Sequence, residues 1–217
     1  MRVDPAETDH TMRIIDATYV KSVSSPREVA ESMPEICFVG RSNVGKSSLI
    51  NMLATQHIAR TSSRPGATRM INIYKVLYEH QGKRDYVIFS DFPGFGYARV
   101  SRSMALDWQK MVEGYLSANN RIRRIIWLLD VRREFDDLDE MLAEWLLSKR
   151  LPFTPVLTKI DKESQGNIAK KVRSYAQFFD GRKAHLFSSR TGYGKKELLA
   201  HIELVLTPTL KEDGISL

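Results

Sequence analysis

The sequence predicts an α/β fold: a mostly parallel six-stranded sheet with one antiparallel edge strand and helices on both faces. Apolar strand patterns alternate with helical patterns along most of the 217 residues, as in chains built from β-α-β units. A glycine-rich turn lies between the first apolar strand and the first helix. Residues 124–130 form a nearly unbroken apolar run, which is typical of a strand covered on both faces. These three observations favour one sizeable domain.

The chain falls into three parts. Residues 23–207 carry the alternating patterns and are expected to form the domain, whereas residues 1–22 are predicted to be a mobile N-terminal extension and residues 208–217 a mobile tail. The charged residues and Pro5 near the N-terminus are unlike a secretory signal, and no apolar run approaches the ~18 residues of a membrane span. We therefore expect a cytoplasmic protein.

The composition points to an anionic partner. Lys and Arg number 33 against 26 acidic residues, which gives a formal net charge of +7. Nucleic acid is the usual partner of such an excess, and the alternative is a soluble surface that happens to be basic. The single cysteine, Cys37, lies in an apolar run and is expected to be a small buried side chain rather than a reactive thiol.

Local patterns predict the elements in order. After a first strand at 36–39 and a helix carrying Leu49 and Leu53, we expect strands at 70–78 and 85–90, a helix at 103–119, a strand at 124–130, a helix at 136–149, a strand at 153–157, a helix through 168–179, a strand at 184–187 and a last helix through 198–205. The polar turn at 80–84 predicts an antiparallel hairpin. Pro155 is awkward inside a strand because it removes a ladder donor. The helix at 136–149 is expected to bury Leu138, Met141, Leu142, Trp145 and Leu146.

The turn after the first strand has the pattern G-x-x-x-x-G-K-[ST]. Its residues are Gly40, Arg41, Ser42, Asn43, Val44, Gly45, Lys46 and Ser47. In a strand-loop-helix context the backbone N–H groups close around phosphate oxygens, and the helix N-terminus adds its dipole. Lys46 would reach the β- and γ-phosphates, and the Ser47 hydroxyl would bind Mg²⁺. This context favours a nucleotide site over a glycine-rich turn that binds nothing.

A second motif, Asp91-Phe92-Pro93-Gly94, directly follows an apolar strand. A carboxylate at the end of a strand can hold Mg²⁺, directly or through water, and a glycine three residues later can turn its N–H toward a γ-phosphate. Alone, such a tetrapeptide is more often an ordinary turn. Its place 44 residues after Ser47, behind a hairpin, favours the nucleotide sensor of a GTPase.

A third motif, Thr158-Lys159-Ile160-Asp161, ends a predicted strand. The Asp161 carboxylate can accept two hydrogen bonds from the guanine N1–H and exocyclic amine, which adenine does not supply. The aliphatic part of Lys159 can cover the face of the base. Ser188 and Ser189 follow the next strand, where backbone N–H groups usually meet the guanine O6. A charged surface loop would be favoured if this tetrapeptide stood alone.

Together these motifs resemble the EngB (YihA/YsxC) family of bacterial GTP-binding proteins, in the translation-factor-related class of P-loop GTPases. The resemblance runs from about residue 35 to residue 206 and includes Arg64-Pro65-Gly66-Ala67-Thr68 and the run from Asp91 to Ala98. One residue departs from it, because the family usually has Tyr where Phe95 stands. The resemblance implies a Ras-like G domain that binds GTP or GDP with Mg²⁺.

Two threonine-bearing loops could hold the residue that completes the Mg²⁺ shell when the γ-phosphate is present. From the residues alone, Thr61 and Thr68 are both possible. The resemblance favours Thr68, so the expected Mg²⁺ ligands are Ser47, Thr68 and Asp91. It also implies nucleotide contacts beyond the loop at 40–47, namely Gly66, Ala67, Thr68, Arg69, Met70, Asp91, Phe92, Pro93, Gly94, Thr158, Lys159, Ile160, Asp161, Phe187, Ser188 and Ser189.

Hydrolysis is expected to be slow. Phe95 stands where Ras-like GTPases have the Gln that orients the attacking water, and a phenyl ring cannot hydrogen-bond water. Lys46, Thr68 and Gly94 are the expected catalytic residues, together with Asn43 as a possible K⁺ ligand. Related GTPases with Asn at this position can bind K⁺; alternatively, Asn43 tolerates an unusual backbone conformation.

Two classes of function remain open at this point. The resemblance implies a monomeric GTPase switch that acts with rRNA in assembly of the large ribosomal subunit and is needed for normal cell division and septation. The alternative is a metabolic nucleotide enzyme, a small-molecule kinase or ATPase, with no RNA partner. Candidate phosphate contacts for the first class are Arg121, Arg123, Arg124, Lys149, Arg150, Lys170, Lys171, Arg173, Lys195 and Lys196.

Overall fold

The structure is a computed structural model that describes residues 12–29, 32–59, 70–95 and 102–207, with side chains from residue 109 onward in the second helix. Its strands are β1 (Arg13–Val23), β2 (Glu35–Gly40), β3 (Ile71–His80), β4 (Lys83–Asp91), β5 (Ile122–Asp130), β6 (Phe153–Thr158) and β7 (His185–Leu186). Its helices are α1 (Lys46–Ala54), α2 (Arg102–Ser117), α3 (Asp137–Ser148), α4 (Gln165–Tyr175) and α5 (Lys195–Leu206).

The seven strands form one sheet with the order β1-β3-β4-β2-β5-β6-β7. The pairs β2–β4, β2–β5, β5–β6 and β6–β7 are parallel, whereas β3 is antiparallel to both of its neighbours. The predicted α/β fold with a mostly parallel sheet is confirmed. The predicted hairpin is also present, and it turns through Gln81 and Gly82, whose φ angles of 48° and 74° suit a tight two-residue turn. The sheet has seven strands rather than six because β1 pairs with β3 and adds a second antiparallel pairing. β3, the described strand that runs opposite to the others, therefore lies inside the sheet and not at its edge as predicted.

The edge strand β1 is the element that the sequence patterns miss. Most of it lies in the segment predicted to be a mobile extension, and that prediction is wrong for residues 13–22. Its pairing with β3 is irregular between Ile14 and Asp16 and again between Tyr19 and Lys21. At each of these two places β1 has one more residue than β3. The additional residue reverses the side-chain alternation, so no continuous period of two is present along the strand.

Helices cover both faces of the sheet, as predicted. α2, α3 and α4 pack on one face through residues such as Tyr115, Leu146 and Ile168, and α1 and α5 pack on the other through Leu49 and Ile202. None of the helices in the described ranges has the length and apolar character needed to cross a membrane. This layered arrangement leaves the carboxyl ends of the parallel strands at one edge of the sheet, where ligands of such folds bind.

Pro155 lies within β6 without removing a ladder bond. The Phe187 N–H donates to the Leu157 carbonyl at 2.8 Å, so residues 155 and 157 direct their backbone polar groups toward β7. β7 has only two residues and begins opposite residue 156. The donor that proline lacks would point beyond the start of β7, which explains why a proline is tolerated in this interior strand.

α3 is rotated relative to its predicted core stripe. Leu138 and Met141, which were expected in the core, are 42% and 52% exposed, whereas Asp139 is 2% exposed. The Asp136 carboxylate accepts hydrogen bonds from the N–H groups of residues 138 and 139, and Asp139 accepts the Asp136 N–H in return. This reciprocal cap turns Asp139 inward, so Leu146 is buried as predicted and the other two side chains face outward.

Cys37 is the single cysteine of the sequence and lies in β2, between β4 and β5. Its side chain is fully buried, as predicted. Burial raises the pKa of its thiol well above the usual value, and the neighbouring Glu35 carboxylate acts in the same direction. Cys37 therefore packs as a small apolar side chain in the folded protein.

A histidine pair is expected to make stability depend on pH. The rings of His201 and His185 are 4.8 Å apart, and His201 Nε2 lies 2.7 Å from Thr154 Oγ1. Burial, with the positive charges of His185 and Arg124, lowers the pKa of His201 from 6.5 to about 4. The unfolded chain therefore binds this proton first, and stability should fall as the pH decreases from about 6.5 to about 4.

Thermal unfolding midpoints of the wild type and of His201→Gln, measured across that range, test this expectation. The variant should lose less stability on acidification, because the glutamine keeps a polar partner for Thr154 but cannot be protonated. Parallel pH profiles for the two proteins would contradict it.

Candidate nucleotide-binding site

The glycine-rich loop joins β2 to α1 in the predicted strand-loop-helix geometry. β2 ends at Gly40, and α1 begins at Lys46 directly after Gly45, whose φ of 110° lies in the region that favours glycine. Asn43 also has a positive φ, of 61°. The loop therefore curls ahead of the first turn of α1, and a helix N-terminus that follows such a loop suits an anionic group.

Residues at the end of β6 donate hydrogen bonds to carbonyl groups of this loop. Thr158 Oγ1 donates to the Val44 carbonyl at 2.8 Å, and Lys159 Nζ donates to the Asn43 carbonyl at 2.5 Å. Lys159 Nζ also contacts Asp130 Oδ2 at 2.9 Å. The predicted phosphate and base motifs, separated by more than a hundred residues, therefore lie side by side.

Lys46 points into the loop that it follows. Its Nζ donates to the carbonyls of Gly40 and Arg41 at 3.0 and 3.1 Å. Burial lowers the pKa of Lys46 to about 8, and the charge of Asp91 opposes this shift. An ammonium has three N–H donors, so one is left over for an anion placed in the loop. Such an anion would also stabilise the charged form of the lysine.

Asp91 ends β4 beside the first turn of α1. Its Oδ2 accepts a hydrogen bond from Ser47 Oγ at 3.1 Å. Its Oδ1 is buried and has no hydrogen-bond partner among the described residues. Burial raises the pKa of Asp91 to about 6, although Lys46 and Ser47 act against that shift. A buried carboxylate oxygen without a donor, next to a serine hydroxyl, fits the oxygen ligands that Mg²⁺ prefers.

The backbone of the segment after Asp91 is hydrogen-bonded to the glycine-rich loop at residues 40–47, which is termed the phosphate loop from here on. The Ser42 N–H donates to the Phe95 carbonyl at 2.9 Å, and residues 41 and 95 form an isolated parallel bridge. Gly94 lies so close to this loop that an added Cβ would be 2.6 Å from Ser42 Cα and 2.7 Å from Ser42 N. Only glycine permits this approach, and a displacement of either segment is therefore transmitted to the other.

Arg41 links the loop to the start of α3. Its guanidinium is nearly buried, and its NH1 contacts both carboxylate oxygens of Asp136, at 2.5 and 2.6 Å. The same guanidinium lies 3.9 Å from Asp139 and 5.9 Å from the centre of the Phe95 ring. Burial and the Asp136 charge raise the pKa of Asp139 to about 6, while Arg41 acts against this shift. Arg41 is therefore a buried residue that connects the loop to the start of α3, and its side chain does not face solvent.

The predicted base-recognition residues converge at the neighbouring strand ends. Ser188 Oγ donates to Asp161 Oδ1 at 2.6 Å, and this hydrogen bond is the main cause of the lowered pKa of Asp161. Asp161 Oδ2 has no hydrogen-bond partner among the described residues, with Lys162 and Arg190 at 3.8 Å. The ionised carboxylate is oriented on one side and has acceptor capacity on the other.

The other predicted contacts have less distinctive surroundings. Phe92 and Pro93 are buried, Ser189 is half-buried, and the Ile160 N–H donates to the Phe187 carbonyl at 3.4 Å. Met70 is 40% exposed and directly precedes β3. The remaining predicted contacts lie outside the described residues: Gly66, Ala67, Thr68 and Arg69, as does the alternative Thr61.

Three carboxylates contribute to the site although the sequence motifs do not include them: Asp130, Asp136 and Asp139. Burial opposes ionisation of Asp130, but hydrogen bonds from Arg132 and Lys159 lower its pKa to about 2. Asp130 ends an apolar strand, as Asp91 does, and this common position is the signal that could have identified it. A cavity of about 280 Å³ lies between the phosphate loop, the end of β5 and the start of α3.

Comparisons of the sequence with known proteins agree on one family. A family model described as "50S ribosome-binding GTPase" matches residues 35–159. The probable GTP-binding protein EngB of Desulforamulus reducens is 37% identical over 211 residues, which cover 95% of this chain and 98% of the relative. The corresponding protein of Aquifex aeolicus is 41% identical over 170 residues, which cover 78% and 89%.

Solved structures show the same fold. A crystal structure of a probable GTP-binding protein engB has a TM-score of 0.62 at 23% identity and covers 79% of this chain and 98% of that chain. Aquifex aeolicus Era, crystallised with GDP and AlF₄⁻, has a TM-score of 0.66 at 23% identity, covering 85% and 61%. The family follows from the sequence relatives and from the family model, which matches more than half of the chain. The chain therefore belongs to the EngB family of GTP-binding proteins, and it is a GTPase.

Proposed function

We propose that this GTPase is a slow, nucleotide-dependent switch in assembly of the large ribosomal subunit. It would act as a cytoplasmic monomer, and its loss would disturb cell division and septation. The description of the matching family model and the net charge of +7 support an rRNA partner. Since the relatives are GTP-binding proteins, they argue against the alternative of a small-molecule kinase or ATPase.

The hydrogen bond from the Ser42 N–H to the Phe95 carbonyl is the main observation that supports a nucleotide-dependent switch. It joins the phosphate loop to the segment that begins at Asp91, so a phosphate that displaces either segment moves both. A two-state switch requires an element whose position the ligand biases. Phe95 is that element in this proposal, because it also contacts the Arg41 guanidinium beside α3.

The proposed base reader is Asp161. Its carboxylate would accept hydrogen bonds from the guanine N1–H and exocyclic amine, while Ser188 holds its orientation. The aliphatic part of Lys159 would cover one face of the base, since its Nζ is held by Asn43 and Asp130. The backbone N–H groups of Ser188 and Ser189 are the proposed partners of the guanine O6.

Ser47 and Asp91 would hold Mg²⁺, Asp91 directly or through water, and Thr68 would join them when the γ-phosphate is present. The unpartnered Asp91 Oδ1 supports this assignment. Bound Mg²⁺ neutralises charge on the β- and γ-phosphates. The Lys46 ammonium and the loop N–H groups would stabilise the same charge from the protein side, and the Gly94 N–H would face the γ-phosphate. Phe95 offers no hydrogen bond to the attacking water, so hydrolysis without a partner would be slow.

Asn43 is the proposed K⁺ ligand, and hydrolysis should then be faster in K⁺ than in Na⁺. The expected difference is about tenfold or more, which corresponds to about 1.4 kcal/mol in the barrier. The variant Asn43→Gly separates the two interpretations of this residue. Glycine accepts the observed φ of 61° but has no side-chain oxygen, so the variant should keep nucleotide affinity and lose the K⁺ effect. Equal wild-type rates in the two salts would contradict the proposal.

Co-sedimentation with purified large ribosomal subunits tests the switch itself. The wild type should pellet with subunits to different extents in GTP, in GDP and without nucleotide. The variant Lys46→Met, which lacks the ammonium inside the phosphate loop, should match the nucleotide-free wild type in all three conditions. If wild-type binding is the same in every nucleotide state, the protein is not a switch of this kind.

A further inference from the structure

We infer that the end of the sheet opposite the nucleotide site, where β5, β6 and β7 begin, binds the phosphate backbone of double-stranded RNA. This surface, termed the basic pole, consists of Arg123, Arg124, Lys149, Arg150, Arg182 and Lys183. The inference rests on the proposed function for its partner, and it adds which face of the protein meets that partner. It also adds which chemical feature of RNA that face recognises.

Topology brings the three sequence-distant pairs of this pole together. β5, β6 and β7 run parallel, with Ile125 opposite Phe153 and Val156 opposite His185. The Ile125 N–H donates to the Pro152 carbonyl at 2.8 Å, which aligns the starts of the first two strands. Each pair of cations lies at or just before the start of one of these strands. Adjacent strands are about 4.8 Å apart, so the three starts span about 10 Å.

The pole concentrates positive charge that the protein itself hardly compensates. Asp180, 2.9 Å from Arg182, is the one carboxylate of the described residues that lies within 4.0 Å of these cations. Burial lowers the pKa of Arg124, and the positive charge of Arg182 acts in the same direction. Like charges held together disfavour the folded protein unless an anion approaches them.

Three of the other basic residues singled out in the sequence are engaged elsewhere. Arg121 pairs with the buried Glu35 at 3.3 Å, Lys171 pairs with Glu134 at 2.8 Å, and Lys195 donates to Thr55 at 2.8 Å. Their contacts stabilise the fold or a loop. The pole therefore differs from these positions, because four of its six side chains are exposed and have no carboxylate partner among the described residues.

The chemistry of the pole favours phosphate over base recognition. The aromatic ring next to it, Phe153, is 1% exposed and lies under the Arg182 guanidinium, whose Cζ is 4.5 Å from the ring centre. A buried ring cannot stack on an unpaired base, which is how proteins usually read single-stranded RNA. Exposed Arg and Lys without a stacking ring suit the backbone of a duplex, which proteins recognise by phosphate contacts and shape.

The pole is remote from the nucleotide. The pole residue Arg124 and Asp130, which contacts Lys159, both lie in β5, and their six-position separation at about 3.3 Å per residue is roughly 20 Å. A phosphate contact at the pole is therefore expected to have similar strength with GTP and with GDP. Nucleotide-dependent docking would need a second contact near the switch, with the pole providing an attachment that does not vary.

The experiment compares two fourfold variants that remove the same charge. The pole variant carries Arg123→Gln, Lys149→Gln, Arg150→Gln and Lys183→Gln, and the control carries Lys21→Gln, Arg27→Gln, Lys83→Gln and Lys110→Gln, all at exposed positions. Binding to a fully paired RNA duplex of about 16 base pairs is measured by fluorescence anisotropy across a salt series. GDP affinity and the thermal midpoint are measured alongside to show that both variants fold.

The pole variant should bind the duplex more weakly, and the negative slope of log K against log salt should become shallower by about 3, at roughly 0.7–0.9 per lost phosphate contact. The control should keep nearly the wild-type slope. Equal slopes for the two variants would overturn the inference, and so would pole-dependent binding to phosphatidylglycerol vesicles without binding to the duplex.

Co-sedimentation with large subunits distinguishes this inference from the proposed function. If the wild type does not bind subunits at all, the proposed function fails, whatever the pole does with duplex RNA. If the wild type and both variants bind subunits equally, only the pole is excluded as the docking surface. Loss of binding by the pole variant alone, in GTP and in GDP, supports both.

Discussion

Replacing Asp161 with asparagine should lower the affinity for GTP by about 10²–10⁴-fold and shift the preference toward xanthine nucleotides. The carboxylate would lose two hydrogen bonds from guanine, each worth about 1.5–3 kcal/mol when one partner is charged. The amide of the introduced side chain would instead present N–H donors to the guanine N1–H, which is also a donor. Xanthine carries a carbonyl at the position of the amine and would accept from that amide.

The hydrogen bond between Ser188 and Asp161 makes Asp161→Asn a specific test of base recognition. Asp161 Oδ1 is held by Ser188 at 2.6 Å, and an asparagine oxygen can keep that contact. Competition binding with GTP, XTP and ATP measures the shift. Glu163→Gln is the matched control, because it removes the same charge two residues away and should leave GTP affinity unchanged. If Asp161→Asn retains its preference for guanine, another residue reads the base.

Replacing Gly94 with alanine should lower the rate of GTP hydrolysis by about 10²-fold or more, with much less effect on GDP affinity. The added Cβ would meet the Ser42 backbone at 2.6 Å, and backbone atoms cannot move aside as a flexible side chain can. The Asp91–Phe95 segment would be pushed off the phosphate loop, and the Gly94 N–H would be displaced from the γ-phosphate. Losing one donor to charge that develops in the transition state costs about 10²–10³ in rate.

A second glycine provides the control. Gly114 lies on the exposed side of α2, where an added Cβ meets nothing within 4 Å, and alanine is a better helix former by about 1 kcal/mol. Single-turnover hydrolysis and GDP binding should be near wild type for Gly114→Ala. Wild-type hydrolysis by Gly94→Ala would mean that the close approach to Ser42 has no part in the reaction.

The parts that the sequence predicts well depend on local patterns. The phosphate loop, Asp91 and the stretch from Thr158 to Asp161 each follow an apolar strand, and parallel strands bring their carboxyl ends to one edge of the sheet. The hairpin is likewise encoded by adjacent residues. Such signals need no knowledge of the remaining chain, so the α/β fold and its site edge can be predicted together.

The parts that it misses depend on long-range contacts or on broken periodicity. Arg41 meets Asp136 across 95 positions of the sequence, and no pattern near either residue reveals the pair. The inward turn of Asp139 sets the phase of α3, which a count of apolar positions alone places differently. In β1 two irregularities interrupt the alternation on which strand prediction depends.

The position of Cys37 gives the protein a built-in reporter of unfolding. Its strand is paired on both sides, so a thiol reagent reaches the sulfur only when the centre of the sheet opens. The labelling rate should therefore follow global opening and fall as GDP is added, because a ligand that binds only the folded state stabilises it. A cysteine introduced on the surface would be the first thiol to react, so single-site probes can be attached without removing the native one.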